Sequence, residues 1–298
     1  MPYPVKRVLL GLFLLLSIPS VLLAQGTAPE VGIFGGISTY NGDLSSSKFP
    51  FQQSHPAFGI FIRKSVYKGL SLRIGASFGK MSGADSLASD SSVRLRNLDF
   101  QSNITDVHLL AEYNFFDYSK TGFTPYVFVG ISVYHFDPYT KDTAGLRVYL
   151  PPLSTEGEGL EAYPDRKAYN LTQVSIPFGV GVKYAVSPVV NIGFEFRINK
   201  TFTDYLDDVS TTYVDENKLL AERGPTAVQY AYRTDELPGH KPDETGVDTY
   251  PAEGTPRGSA AHKDWYYFTG LTISFNLNGG NGLFGNGLKQ LRCPVIRN

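Results

Sequence analysis

LSLRIGASFG, residues 70–79, puts Leu70, Leu72, Ile74, Ala76 and Phe78 on one face of an extended chain and Ser71, Arg73, Gly75, Ser77 and Gly79 on the other. Successive side chains of a strand point to opposite sides, so a period of two describes a strand with one apolar and one polar face. A soluble sandwich could produce this once. VNIGFEFRIN, residues 190–199, repeats it: Val190, Ile192, Phe194, Phe196 and Ile198 oppose Asn191, Gly193, Glu195, Arg197 and Asn199. Residues 174–184 do the same, with Lys183 on the polar side, and residues 264–277 carry aromatics at both ends of the apolar stripe, as interfacial girdles do. Candidate strands at 31–40, 57–64, 104–116 and 124–136 bring the total to about eight, the smallest even number used by single-chain outer-membrane barrels.

Connection lengths alternate. Residues 41–56, 80–97, 137–169 and 200–263 are long links, whereas 65–69, 117–122 and 185–188 are short. That asymmetry belongs to outer-membrane barrels, with long loops outside and short turns in the periplasm. The expected fold is therefore all-β, a transmembrane antiparallel up-and-down barrel with both termini in the periplasm. A soluble lipocalin-like barrel is the alternative, and it would place the apolar stripes inside and the charges outside. In the transmembrane reading, Arg at Ile192 or Phe194 impairs insertion, while Ser at Asn191 or Gly193 is tolerated.

Composition agrees with strands. Tyr 19 and Phe 20 against Met 2 and Trp 1 favour extended structure and interfaces over helices. Lys6 and Arg7 followed by the apolar run Val8 to Ile18 read as a signal peptide over residues 1–24, with cleavage after Ala24. Beyond Ile18 no long apolar run follows, so a membrane-embedded mature chain has to be a closed barrel. Residues 25–277 would form it, and 278–298 a periplasmic tail of Gly and Asn leading to LKQLRCPVIRN. A formal net charge of -1 gives no reason to expect nucleic acid. Cys293, the single cysteine, excludes an intramolecular disulfide and leaves an intermolecular bond or a buried thiol. It is a candidate partner contact.

On the inner face, Arg73 and Arg197 can pair with Asp106, Glu112 and Glu195, filling the lumen with ion pairs rather than leaving a pore. His108 lies between Asp106 and Glu112 on the same strand face. With no His-x-His, it reads as a hydrogen-bonded lumenal residue rather than a metal ligand, and no cofactor is implied. G-x-S-x-G, P-loop and H-E-x-x-H motifs are absent. TFTDYLDDVSTTYVD, residues 201–215, offers Asp204, Asp207, Asp208 and Asp215 as oxygen ligands. Its spacing departs from an EF-hand, and a capped turn or short helix is the preferred reading. Residues 224–256 read as a mobile loop rich in Pro, Gly, Thr and acids.

Several stretches together are similar to the PorG family, an outer-membrane component of the type IX protein secretion system. They are EVGIFGGISTYNGDL (30–44), HPAFGIF (55–61), SLRIGASFGKMSGADS (71–86), RNLDFQSNI (96–104) and FTPYVFVGISVYHFDP (123–138). LSTEGEGL (153–160), SIPFGVGVKY (175–184), NKTFTDYLDDVSTTYVD (199–215) and DWYYFTGLTISF (264–275) continue the likeness. NGDL, STEGEGL and TFTDYLDDVSTTYVD are its most specific parts. The resemblance implies a non-enzymatic barrel in the outer membrane of a Gram-negative bacterium, embedded in its lipid. It would anchor or help assemble the secretion machinery against a periplasmic ring of PorK- and PorN-like proteins. A small barrel for adhesion or solute transport is the alternative.

Overall fold

The computed structural model describes residues 29–45, 51–116, 121–237 and 250–277. The expected signal peptide, the tail and Cys293 lie outside them. Among the described residues nine strands form one antiparallel sheet: β1 (Glu30–Asn41), β2 (His55–Tyr67), β3 (Leu70–Ala84), β4 (Asp99–Asn114), β5 (Phe123–Lys141), β6 (Arg147–Tyr149), β7 (Thr172–Ala185), β8 (Val190–Thr201) and β9 (Trp265–Asn276). Eight of them close on themselves, because β1 pairs with both β2 and β9, and β4 pairs with both β3 and β5. The three-residue β6 hangs on the upper end of β5, with Tyr139 opposite Tyr149. Closure leaves no sheet edge inside the barrel wall, so backbone N–H and C=O groups pair within it, as a lipid surround requires.

The outer wall is apolar. Ile33, Ile60, Ile62, Val129, Ile131, Val180, Phe194 and Leu271 are exposed around the barrel, while the alternate residues point inward and are buried. Aromatic residues flank this band: Tyr67, Tyr113, Phe115 and Phe123 at the short-turn end, and Trp265 set edge-on to Phe178 at the other. Among the described residues no helix is long and apolar enough to cross a membrane; the chain crosses with strands. A closed eight-stranded antiparallel barrel with a lipid-facing belt and aromatic rims is a bacterial outer-membrane barrel. The soluble alternative fails, since the charges face inward and the apolar stripes outward.

Of the strands that run past their expected limits, three go furthest. β3 continues to Ala84, β4 begins at Asp99 and β5 ends at Lys141. Above the belt the outward positions become Lys80, Ser82, Gln101, Asn103 and Asp137, so the apolar alternation vanishes while the ladder goes on. Lys80 Nζ donates to Gln101 Oε1 across it at 2.7 Å. The reading of 224–256 as mobile loop is also corrected over 224–237, while 238–249 lie outside the described residues. α1 (Ser91–Arg96) belongs to the second long loop, and α2 (Glu216–Arg223) and α3 (Pro225–Ala231) to the fourth. Asp215 caps α2 by accepting from Lys218 N at 3.0 Å, and Pro225 opens α3 where its missing N–H costs nothing. Leu219, Ala227 and Ala231 pack against Leu160 and Val214 as a small second core. At seven residues, α3 is too short for helical periodicity to show in the sequence. Residues 201–215 themselves hold no helix; the capping acid stands at their end.

Gly193 also needs correction. A Cβ there would lie 2.7 Å from the Val182 carbonyl oxygen and 2.7 Å from Thr272 Oγ1, and the backbone oxygen cannot step aside. Phe194→Arg, on the lipid face, is expected to cost about 2–4 kcal/mol if near the midplane, read as a lower urea midpoint for the refolded barrel in lipid vesicles. Asn191→Ser should insert like the wild type, whereas Gly193→Ser should lower the yield of inserted barrel through steric clash. Equal loss for Phe194→Arg and Asn191→Ser would contradict the assignment of faces.

Candidate functional site

Inward positions of the lower half carry Arg63, Arg73, Lys183 and Arg197 against Glu30, Asp106, Glu112 and Glu195, all buried. Four cations balance four carboxylates. Glu112 is the hub: its Oε2 lies 2.7 Å from Arg63 Nε and 2.8 Å from Lys183 Nζ, and its Oε1 2.9 Å from Arg73 Nε. Arg73 then reaches Glu195 with two guanidinium nitrogens, at 2.6 and 3.0 Å, and Arg63 reaches Glu30 at 2.8 Å. Aromatic faces cover these cations. Arg73 lies over Phe61 and Phe128, Lys183 over Tyr126 at 4.2 Å, and Arg197 over Phe268 at 4.5 Å.

Higher up, Asp106 gathers His108 Nδ1 at 2.8 Å, the Tyr266 hydroxyl at 2.8 Å and Arg197 at 3.4 Å. Arg197 Nη1 lies 2.8 Å from His108 Nδ1 and 3.2 Å from Nε2, the ring nitrogen that does not face Asp106. The guanidinium thus takes the place a nucleophile would need beside that nitrogen. Between Arg73, Ser77, His108, Glu195 and Arg197 remains a cavity of about 10 Å³, room for about one water. Among the described residues, buried side chains fill the barrel interior.

All six lumenal residues singled out in the sequence meet in this interior. Arg73, Glu112 and Glu195 form one group, Asp106, His108 and Arg197 the next. Arg63 and Glu30 were missed, and Lys183 was placed on the inner face without a partner. Parity alone could have found Arg63; Glu30 precedes the expected start of its strand by one residue.

A second assembly closes the mouth, and the three specific motifs build it. From NGDL, Leu44 N donates to Asp207 Oδ2 at 3.2 Å, and Asp43 Oδ2 accepts from Ser259 N at 2.8 Å. From STEGEGL, Glu156 accepts from Ser210 N, Thr211 N and Thr211 Oγ1 at 2.6–2.8 Å and from Arg257 Nη1 at 3.0 Å. Asp208 sits in the left-handed region at φ 66 and is held by the Thr155 and Tyr169 hydroxyls at 2.7 and 2.6 Å. Arg96 forks onto Asp85 with two nitrogens at 2.8 and 2.6 Å. Beneath lie Tyr40, Phe100, Phe136, Leu206 and Val209, an aromatic and aliphatic plug.

This cap is rich in buried acids. Burial pushes Asp204 up to about 6, and burial followed by the Asp208 and Glu156 charges raises Glu158. Among the described residues no three His, Cys, Asp or Glu side chains converge to hold a metal ion.

Glu112→Ala would leave Arg63, Arg73 and Lys183 in excess inside the wall. Removing one partner of a buried ion cluster costs about 3–5 kcal/mol, which should appear as a lower urea midpoint of the refolded barrel. Lys218→Ala, removing an exposed pair with Glu253 at 3.4 Å, should leave the midpoint unchanged. Equal midpoints for the two variants would refute the structural weight given to the lumenal cluster.

A family described only as a domain of unknown function, DUF6089, matches residues 6–146, a little under half of the chain. No curated protein matches the sequence. Among solved structures the chain is similar to Neisserial surface protein A, with 10% identity, 85% of this chain and 99% of that chain covered, and a TM-score of 0.41. It is similar to Ail, the attachment invasion locus protein of Yersinia pestis, solved in complex with the heparin analogue sucrose octasulfate: 7% identity, 84% and 99% covered, TM-score 0.38. A major outer membrane protein of Thermus thermophilus shares 11% identity over 84% of this chain and 99% of its own, with a TM-score of 0.39. The barrel rests on its own closed ladders and apolar belt, not on these likenesses.

Proposed function

We propose that this protein is a non-enzymatic anchor or assembly component of the type IX secretion machinery, held at the outer membrane against a periplasmic ring of PorK- and PorN-like proteins. The observation that supports this reading is the convergence of NGDL, STEGEGL and TFTDYLDDVSTTYVD, the motifs behind the PorG resemblance, on one buried cap. The cap closes a barrel whose lumen is already filled. Such a barrel offers a solute no route, which disfavours the transport alternative, and His108 is engaged by Asp106 and Arg197 rather than by a nucleophile. What it leaves available to periplasmic partners is its short-turn rim, where Tyr67, Phe116 and Val186 are exposed. The tail at 278–298, with Cys293, is the other proposed contact.

Deleting the gene should abolish export of cargo bearing type IX signals, and normal export would refute the reading. Truncation after Leu277 should reduce co-purification of the ring proteins from detergent-solubilised membranes while the barrel still inserts. Undiminished co-purification would move the contact to the rim turns. A heavier species on non-reducing gels that disappears in Cys293→Ser would place the thiol at the contact. Large steady currents in planar bilayers would favour the transport alternative instead.

A further inference from the structure

Tyr40 lies at the top of β1, directly under the cap, and its hydroxyl is 2.5 Å from Asp207 Oδ2 and 3.2 Å from Asp264 Oδ1. A phenol has one proton to donate. The two carboxyls are buried, and no Lys or Arg among the described residues forms an ion pair with either. Backbone donors take the other positions: Leu44 N and Val209 N on Asp207, Leu206 N on Asp264 Oδ2. Both Asp207 oxygens thereby already accept from a donor. Asp264 Oδ1 faces only the Tyr40 oxygen, and two bare acceptors so placed would leave a buried charge uncompensated.

We propose that Asp264 carries a proton when the mouth is closed, donating from Oδ1 to the Tyr40 oxygen while Tyr40 donates to Asp207, and that losing this proton unlatches the cap. A cation is a poor substitute at that point. Gly42 packs over the contact so closely that a Cβ there would lie 1.9 Å from Asp264 Oδ1 and 2.0 Å from the Tyr40 oxygen. The surrounding charges also disfavour a second anion. Asp43 of the first loop and Asp204 of the fourth act on Asp264 and Tyr134 of β5 lies nearby, whereas Arg96 of α1 favours the charge on Asp207. Burial, then the Asp207 charge, raises the Asp264 carboxyl well above its ordinary range. A group raised in the folded state holds a proton that the unfolded state releases. Its stabilisation is complete below the unfolded value and disappears as pH climbs through the folded one.

The test is amide hydrogen exchange on the full chain in detergent micelles between about pH 5 and 9, corrected for the intrinsic pH dependence of exchange. Protection of the segments around Leu44, Leu206 and Val209 should be high in acid and fall as pH rises, while the barrel strands stay protected. Asp264→Asn should keep the cap protected throughout, because the amide nitrogen donates to Tyr40 and its oxygen still accepts from Leu206 N. Asp207→Asn turns an amide donor against Leu44 N or Val209 N and should expose the segments at every pH. A wild-type profile independent of pH, or an Asp264→Asn profile like the wild type, would overturn the latch. So would protection at high pH restored by calcium chloride and removed by a chelator, which would put a cation in the proton's place. Infrared difference spectra of the wild type supply a readout needing no variant: the absence of a protonated carboxyl that titrates with the loss of protection would also overturn it.

Discussion

Lipid outside a narrow closed barrel forces every inward polar group to find its partner inside. Water cannot fill an interior this crowded, and the low dielectric makes an unpaired charge there costly. The lumen answers with equal numbers of cations and carboxylates, and with guanidinium groups that span neighbouring partners: Arg63 joins Glu30 to Glu112, and Arg73 joins Glu112 to Glu195. Arginine suits this role because its planar fork can satisfy two carboxylates at once and its faces pack on Phe61 and Phe128. A filled axis follows from the same requirement. The charges that make the wall's inner face polar are also the atoms that close it.

The wall was legible in the sequence because lipid and lumen impose opposite demands on alternate residues. Leu70 to Gly79 and Val190 to Asn199 each lie in the strand, and on the faces, that period two assigned. Legibility ended where the lipid ended. Past Gly79 the outward side chains become Lys80 and Ser82, and a strand with two polar faces leaves no hydrophobic signature. Lumenal pairing was only partly readable for another reason: inwardness is local, but partnership is set by barrel closure. Arg73 and Glu195 are separated by 122 residues, and nothing in either strand names the other.

The cap was almost wholly hidden. Tyr40 and Asp207 stand 167 residues apart, and their contact requires the first and fourth loops to fold on one another. What the sequence did offer was an excess of acids in residues 201–215, and the structure uses Asp207 and Asp215 there as acceptors of backbone N–H groups, in keeping with the preferred reading of a capped turn. Read alone, those acids suggested ligands for a cation or caps for a turn. In place, Asp207 accepts from Leu44 N and Val209 N, and Glu156 of residues 153–160 does the same for Ser210 N and Thr211 N. Loop backbone carried above the membrane has no ladder to satisfy it, so side-chain acceptors take over.

This difference between wall and cap explains why some stretches are more telling than others. Lipid asks a facing residue only to be apolar, so Val, Ile, Leu and Phe exchange there at little cost. The cap asks for particular acceptors at particular backbone amides, and for a glycine at Gly42 because the Asp264 and Tyr40 oxygens already occupy the space of a Cβ. NGDL, STEGEGL and TFTDYLDDVSTTYVD each supply one side of the same buried hydrogen-bond network. Those side chains are spent on one another, so a partner approaching from outside meets their backs. Recognition through them would first have to open the mouth.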